Sequence, residues 1–445
     1  MRRVFIALFL LSSFVSAQKR PFTFEDMMAL KRVGEPAISP NGKWVAFSVT
    51  DVNLAENTRT PHLWVVSING GDEKQITEGA GESRPQWSPD GKLLSYISSQ
   101  DGESQVWAID FDADSGQPGT GEPKKLTNVA TGADGQIWSP DGKWLLFTSG
   151  VYPDCKDIAC TAQRDEARAK SKVKASEFRH LLYRHWNSYL GDKVTHIFVQ
   201  PADGSAPPRD LTLGAHDAPP FSLGGSDMYA FSPDSKEVAF TSNIDEVAAT
   251  STNNEIFIVP VEGGTPKKIS TSPGSDSTPR YSPDGKYIAW LMQETPGYES
   301  DRFQLALYDR ASEQMTYPTK TFDRWVGSFA WATDSKTIYF VAEDRGEAPI
   351  YSVSWQITQD SEKGYDISIR HTNVKIDSIT TGHNDDLTVG LDGRMLVITR
   401  MSAGAPNEIY SLPPLQRTST VTRPARVYDS VLTTDAVEGK PLTHL

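Results

Sequence analysis

Three kinds of residue in this 445-residue chain could carry chemistry, and each points to a different reaction. A nucleophilic serine needs a G-x-S-x-G elbow, in which both glycines let a sharp strand-to-helix turn expose the hydroxyl. Ser83, Ser104 and Ser226 follow a G-x pair, but Pro85, Val106 and Met228 stand where the second glycine should be. No catalytic residue can therefore be assigned. A cation site could draw on His383, Asp385 and Asp386 within Gly382-His383-Asn384-Asp385-Asp386, since imidazole and carboxylates ligate metals. An ordinary solvated loop explains the same residues more simply, and no cofactor is expected.

Two segments suit ligand binding better. Phe178-Arg179-His180-Leu181-Leu182-Tyr183-Arg184-His185-Trp186 sets arginines beside aromatics, a combination that binds carboxylates or stacks on a ligand. Arg184, His185 and Trp186 are its candidate contacts; the alternative is an outer element pinned by Leu181, Leu182 and Trp186. Pro296 to Phe303 is a charged loop in which Glu299 and Arg302 could face a substrate, or simply join two strands. Cys155 and Cys160 are the chain's two cysteines. They could close a local disulfide, remain free thiols or, least plausibly without a nearby His, bind metal.

The elements that must position these residues are written as a repeat. Trp138-Ser139-Pro140-Asp141-Gly142-Lys143, followed by Trp144 to Phe147, reads as a strand end, a tight turn and a new strand. Aligned copies place Asn41, Asp90, Asp141, Asp234, Asp284, Asp334 and Asp392 at the turn, most of them about fifty residues apart. Each copy precedes a second recurrent strand, for example LWVVS from Leu63 or IFIVP from Ile256. A short KQIT-like segment at Lys74, Lys124, Arg209 and Lys267 closes several units. Four strands per fifty residues, seven times over, predict an all-β, seven-bladed β-propeller of four-stranded blades. The outer strand of blade seven is expected within Thr418 to Val427, and the ring is expected to close by packing, with no blade shared between the chain's ends.

Only the step from Asp141 to Asp234 is long, at 93 residues, so blade three carries a partly helical insertion over 150–195. Its helix is expected from Arg164 to Lys174. A short helix capped by Thr23 is expected before the first blade. Met1-Arg2-Arg3 and the apolar run Val4 to Val15, ending in Val15-Ser16-Ala17, form a signal peptide over 1–17. The run is too short to span a bilayer. The net charge of −13 argues against nucleic acid as a partner. The remaining boundaries are an N-terminal segment over 18–36, the propeller over 37–427, and the start of a further domain over 428–445.

The SPDG blades, the opening FTFEDMMALKRVGEPAISPNGKWVAFSV and the insertion LLYRHWNSYLGDKVTHIFV resemble the N-terminal half of secreted prolyl oligopeptidase-family serine peptidases. The dipeptidyl-peptidase V and acylaminoacyl-peptidase types are the nearest, and the likeness covers Phe22 to about Pro414. It implies that an α/β-hydrolase domain follows the propeller and carries Ser, Asp and His, none of which has a matching position here. It also implies that the propeller gates access and helps bind the N-terminal end of a peptide. Dipeptidyl-peptidase relatives can use a propeller carboxylate to pair with the substrate ammonium; no double-Glu motif occurs here, and neither Glu299 nor Glu177, the two candidates, matches one. The expectation is the gating part of an exported peptidase, periplasmic or extracellular, silent without its hydrolase domain. The hydrolase-facing side of the ring should then expose the more apolar surface. The alternative is a stand-alone TolB-type periplasmic binding propeller.

Overall fold

The structure, a computed structural model, describes residues 20–178, 181–189, 191–221, 228–361, 368–391, 393, 395–413 and 437–445. Every predicted blade is present as an antiparallel sheet whose strands follow in chain order, blade three being interrupted by its insertion. Blade one runs Arg32–Ile38, Trp44–Asn53, Thr58–Ser67 and Lys74–Gln75. Blade seven runs His383–Val389, Leu396–Ser402, Ala405–Leu412 and Lys440–Pro441. Blade two adds a short ribbon, Gln117–Pro118, beside its outer strand Lys124–Lys125. First strands of neighbouring blades touch one another, so they ring the axis.

The recurrent turn is held by its own side chains. In five blades the serine hydroxyl donates to the Asp or Asn two residues later at 2.7–2.8 Å, as Ser139 does to Asp141. The exit residue must adopt a positive φ, which glycine does without strain; Gly142 sits at 71°. Where Ser235 and Ser335 replace that glycine, at 60° and 56°, the hydroxyl accepts the amide of Asp141 or Asp284 in a neighbouring turn. Asp392 of the seventh copy lies outside the described residues.

A second device closes every blade on its other side. An amide of the third strand donates to a threonine or serine hydroxyl just past the outer strand, at 2.8–3.2 Å: Thr77, Thr127, Thr212, Ser270, Thr319, Thr380 and Thr443. Thr443 belongs to Lys440-Pro441-Leu442-Thr443, a seventh KQIT-like segment. The outer strand of blade seven therefore lies at Lys440–Pro441, beyond the 418–427 stretch where the sequence placed it; that stretch lies outside the described residues.

The second strands read as unbroken apolar runs because each blade is covered on both faces by its neighbours. Val45, Ala46 and Phe47 are all completely buried. Each apolar cluster joins two blades, as when Ala46, Leu63 and Val65 pack on Trp87, Leu94 and Tyr96. Val33, Phe47 and Val66 meet Val397, Ile409 and Leu442, which closes blade seven on blade one. The aromatic before the turn reaches backwards as well: the Trp87 indole donates to the Ala37 carbonyl at 2.9 Å and that of Trp331 to Arg280 at 3.1 Å.

Candidate functional site

The topology sorts all connections onto two faces. First-to-second turns and third-to-outer links lie on one, here the turn face. Second-to-third loops and links to the next blade lie on the other, the loop face. Exposed large apolar side chains are distributed unequally between them. Leu54, Ile244, Val247 and Tyr298 stand on second-to-third loops, and Leu213, Phe221 and Trp325 on links between blades. Phe22, Phe24 and Met27 precede the first strand and enter from the same side. Among the described residues, Leu391 alone occupies a connection of the turn face. Among the described residues, exposed apolar side chains therefore gather on the loop face.

The insertion is the largest feature of the loop face. It leaves Trp144–Val151 and returns at Val194–Pro201. Its helix spans Ile158–Lys170, earlier than the predicted Arg164 to Lys174, because Asp157 caps it by accepting the Cys160 amide at 2.8 Å. Cys155 and Cys160 are disulfide-bonded across this helix start. The helix is moored by Asp165, which accepts from the Tyr152 hydroxyl and the Lys193 ammonium, both at 2.9 Å. Arg164 forks onto Asp154 at 2.6 and 2.7 Å and lies over the Tyr152 ring.

Beyond the helix, Arg184–His185 and Ser188–Tyr189 form a small hairpin. Phe178, Tyr183 and Tyr189 gather with ring centres 5.2–6.4 Å apart. The His185 ring stacks on Phe221 at 3.6 Å, which ties the hairpin to the link between blades three and four. Trp186 at the tip is 74% exposed and Arg184 is exposed. Of the three candidates here, His185 is thus a fastening, whereas Arg184 and Trp186 face solvent. Arg179 and His180 lie outside the described residues.

The blade-five loop, 293–303, lies on the same face, with blade four between it and the insertion. Asp301 organises it by accepting the amides of Glu294, Thr295 and Arg302 at 2.7–3.0 Å. Burial opposes its ionisation, yet these donors hold its carboxyl below the usual range. Arg302 donates to the carbonyls of Phe322 and Lys320, so it clamps the loop to the next link rather than standing free. Glu299 is exposed, its carbonyl accepting from Gln293 at 3.0 Å.

The cation candidates separate. They sit on the first strand of blade seven, not before it, and a bulge between Asp385 and Thr388 splits their directions. His383 lines a cleft of about 530 Å³ with Arg324, Glu343, Asp344, Arg345, Gly346 and Glu347. Asp385 accepts from Ser328 at 3.4 Å and Asp386 from Thr399 at 3.0 Å. Burial, then the adjacent Asp385 charge, raises the Asp386 pKa. Among the described residues no three His, Cys, Asp or Glu side chains gather as a metal group.

Sequence reasoning missed the seams between blades. His62, in the third strand of blade one, meets Glu82 of blade two at 2.9 Å. At the equivalent places of blades four and five stand Glu255 and Asp276, both buried. Aligning the residue before each third-strand apolar run, at Leu63 or Ile256, with the one five before each turn aromatic would have exposed this acid pair.

Comparison with known proteins follows the same lines. No family model matches the chain. It is 32% identical to dipeptidyl-peptidase 5 of Porphyromonas gingivalis over 401 residues, covering 88% of this chain and 54% of that protein. Dipeptidyl-peptidase 5 of Porphyromonas endodontalis is 29% identical over 416 residues, 91% of this chain and 55% of the relative. The chain spans about half the length of these curated relatives. Among solved structures, an acylaminoacyl peptidase in complex with Z-Gly-Gly-Phe-chloromethyl ketone superposes with a TM-score of 0.61 at 15% identity, over 86% of this chain and 51% of that one. The β-propeller domain of the Trilobed protease from Pyrococcus furiosus, described as having an open velcro topology, gives 0.52 at 14% identity over 86% and 92%. At such identities the structural likenesses show the fold alone. The sequence homology is to dipeptidyl-peptidase 5, over a stretch that corresponds to its propeller portion.

Proposed function

We propose, starting from this homology, that the chain is the substrate-gating propeller of an exported prolyl oligopeptidase-family serine peptidase acting on peptide N-termini. The observation that supports the reading is the gathering of exposed large apolar side chains on the loop face among the described residues, the mark of a surface that meets a partner. An α/β-hydrolase domain supplying nucleophile, base and oxyanion hole is the occupant of that face. The last described strand, Lys440–Pro441, runs toward it, as every outer strand does.

Within this reading the ring screens substrates by size, and the loop-face side chains that stand free make the contacts. Arg184 and Trp186 on the insertion and Glu299 on the blade-five loop are those side chains. Glu299 is the carboxylate suited to a peptide ammonium, while His185 and Arg302 hold the loops that present the others. Residues 1–17 direct export, so the mature protein begins at Gln18.

The test is to compare residues 18–445 alone with a fusion to the reading frame encoded immediately downstream, on dipeptidyl 4-nitroanilides. The chain alone is expected to be silent and the fusion active. Turnover by the purified chain alone, a downstream sequence without a G-x-S-x-G nucleophile, or a silent fusion overturns the proposal.

A further inference from the structure

We propose that the seam between blades four and five is a proton-sensitive latch on the 293–303 loop, closed by the neutral acid of Asp276 and released by its ionisation. The seam is unusual within the ring. Among the described residues four buried side-chain oxygens have no hydrogen-bond partner, and three of them, Asn253 Oδ1, Asp276 Oδ2 and Gln304 Oε1, belong to blades four and five. Asp276 and Gln304 are each 1% exposed and flank Met292 in one row across blade five. Both therefore share the face that packs on blade four.

The groups facing Asp276 come from every surrounding element. From the third strand of blade four comes Glu255, 4% exposed, and from its outer strand Lys268. Glu255 already accepts from Lys268 at 2.8 Å and from the Ser270 hydroxyl, so the one nearby cation is engaged. The second strand of blade five contributes the Trp290 indole, which donates to Asp276 Oδ1 at 2.6 Å. Tyr317, on the link to blade six, is raised by its own burial and then by Asp276 and Glu294. Burial and the Glu255 charge push Asp276 up to about 8, although the Trp290 bond pulls the other way. A proton on Oδ2 avoids a second buried negative charge beside Glu255, for which that oxygen has no donor.

The loop is tied to both sides of this seam. The Gln293 amide donates to the Ser275 carbonyl at 2.8 Å, beside Asp276, and the Gln293 side chain donates to the carbonyls of Glu299 and Asp301. The Gly297 amide donates to Thr252 of blade four at 2.8 Å. The Asp276 amide itself donates to the Asn254 carbonyl. Opening the seam strains all of these ties together.

Hydrogen exchange of amides 294–301, corrected for intrinsic rates, tests the latch in the whole chain at pH 6.5 and 9. Wild type is expected to exchange about tenfold faster at the higher pH. Asp276→Asn, which keeps a neutral group, is expected to show no such rise. Glu82→Gln, at the seam where a histidine faces the acid, is expected to behave as wild type. A wild-type loop with equal protection at both pH values overturns the proposal, as does an equal rise in Asp276→Asn. Infrared spectra of wild type give an independent reading should Asp276→Asn not fold: a protonated-carboxyl band is expected to vanish between pH 7 and 9, and its absence at pH 7 overturns the latch.

Discussion

The turn face and the loop face are made by the same strands, yet they follow opposite rules. On the turn face, the same bond from serine to Asp or Asn recurs in five blades within 0.1 Å. On the loop face the Thr or Ser hydroxyl recurs in all seven blades, but what projects beyond it differs in each. Blade three sends out a moored helix and an aromatic hairpin, blade five a loop organised by one aspartate, and blade six the Asp344 hairpin beside the His383 cleft. Repetition marks the scaffold, and departure from it marks the loops that the scaffold leaves free to vary.

Substitutions can break this contrast, beginning with the scaffold. Phe340→Ala removes a completely buried ring packed between Phe322 and Tyr351 and should cost about 3–5 kcal/mol, seen as a lower urea midpoint. A loss below 1 kcal/mol would mean that the blades tolerate cavities as freely as loops.

The next effect comes from Asp276. Its folded pKa of about 8 exceeds the ordinary 3.8, so the folded chain holds a proton that the unfolded chain releases between those values. Stability is therefore greatest below pH 3.8 as far as this group is concerned, falls as pH rises through the window, and levels off above 8. The loss should be on the order of 3 kcal/mol in denaturation profiles and largely absent in Asp276→Asn. Identical profiles for the two proteins would remove Asp276 as the cause.

Thr443→Val deletes the hydroxyl that closes blade seven while keeping its shape. About 1 kcal/mol is the expected cost, with the same for Thr127→Val in blade two. A much larger effect of Thr443→Val would show that ring closure depends on this one blade. Trp186→Ala should sit at the bottom of the scale, within about 0.5 kcal/mol in thermal unfolding, because the side chain is mostly solvated. If it destabilises like Phe340→Ala, the hairpin is scaffold and the division between faces fails there.

Much of this was legible before any coordinates, for a physical reason. A turn that needs a positive φ and a side-chain acceptor admits few residues, so Ser-Pro-Asp-Gly survives in the sequence as a readable mark wherever a blade begins. The same holds for the hydroxyl after each outer strand, although its copy at Thr443 is harder to read because a long stretch separates Leu412, the end of the third strand, from Lys440. The helix cap at Thr23 is local too, its hydroxyl and the Asp26 carboxylate each accepting the other's amide.

Residues distant in sequence were beyond such reading. Nothing local distinguishes Arg302 from Arg184, yet one clamps two carbonyls across a link and the other faces solvent. Asp385 and Asp386 are adjacent in the chain and divide between Ser328 and Thr399 because a bulge turns the strand. The sequence by itself determined the seven blades, their turns and the place of the insertion, since each depends on interactions within about fifty residues. Only the closed ring decided which face carries the apolar surface and which acids meet across a seam, because those depend on strands from different blades being brought side by side.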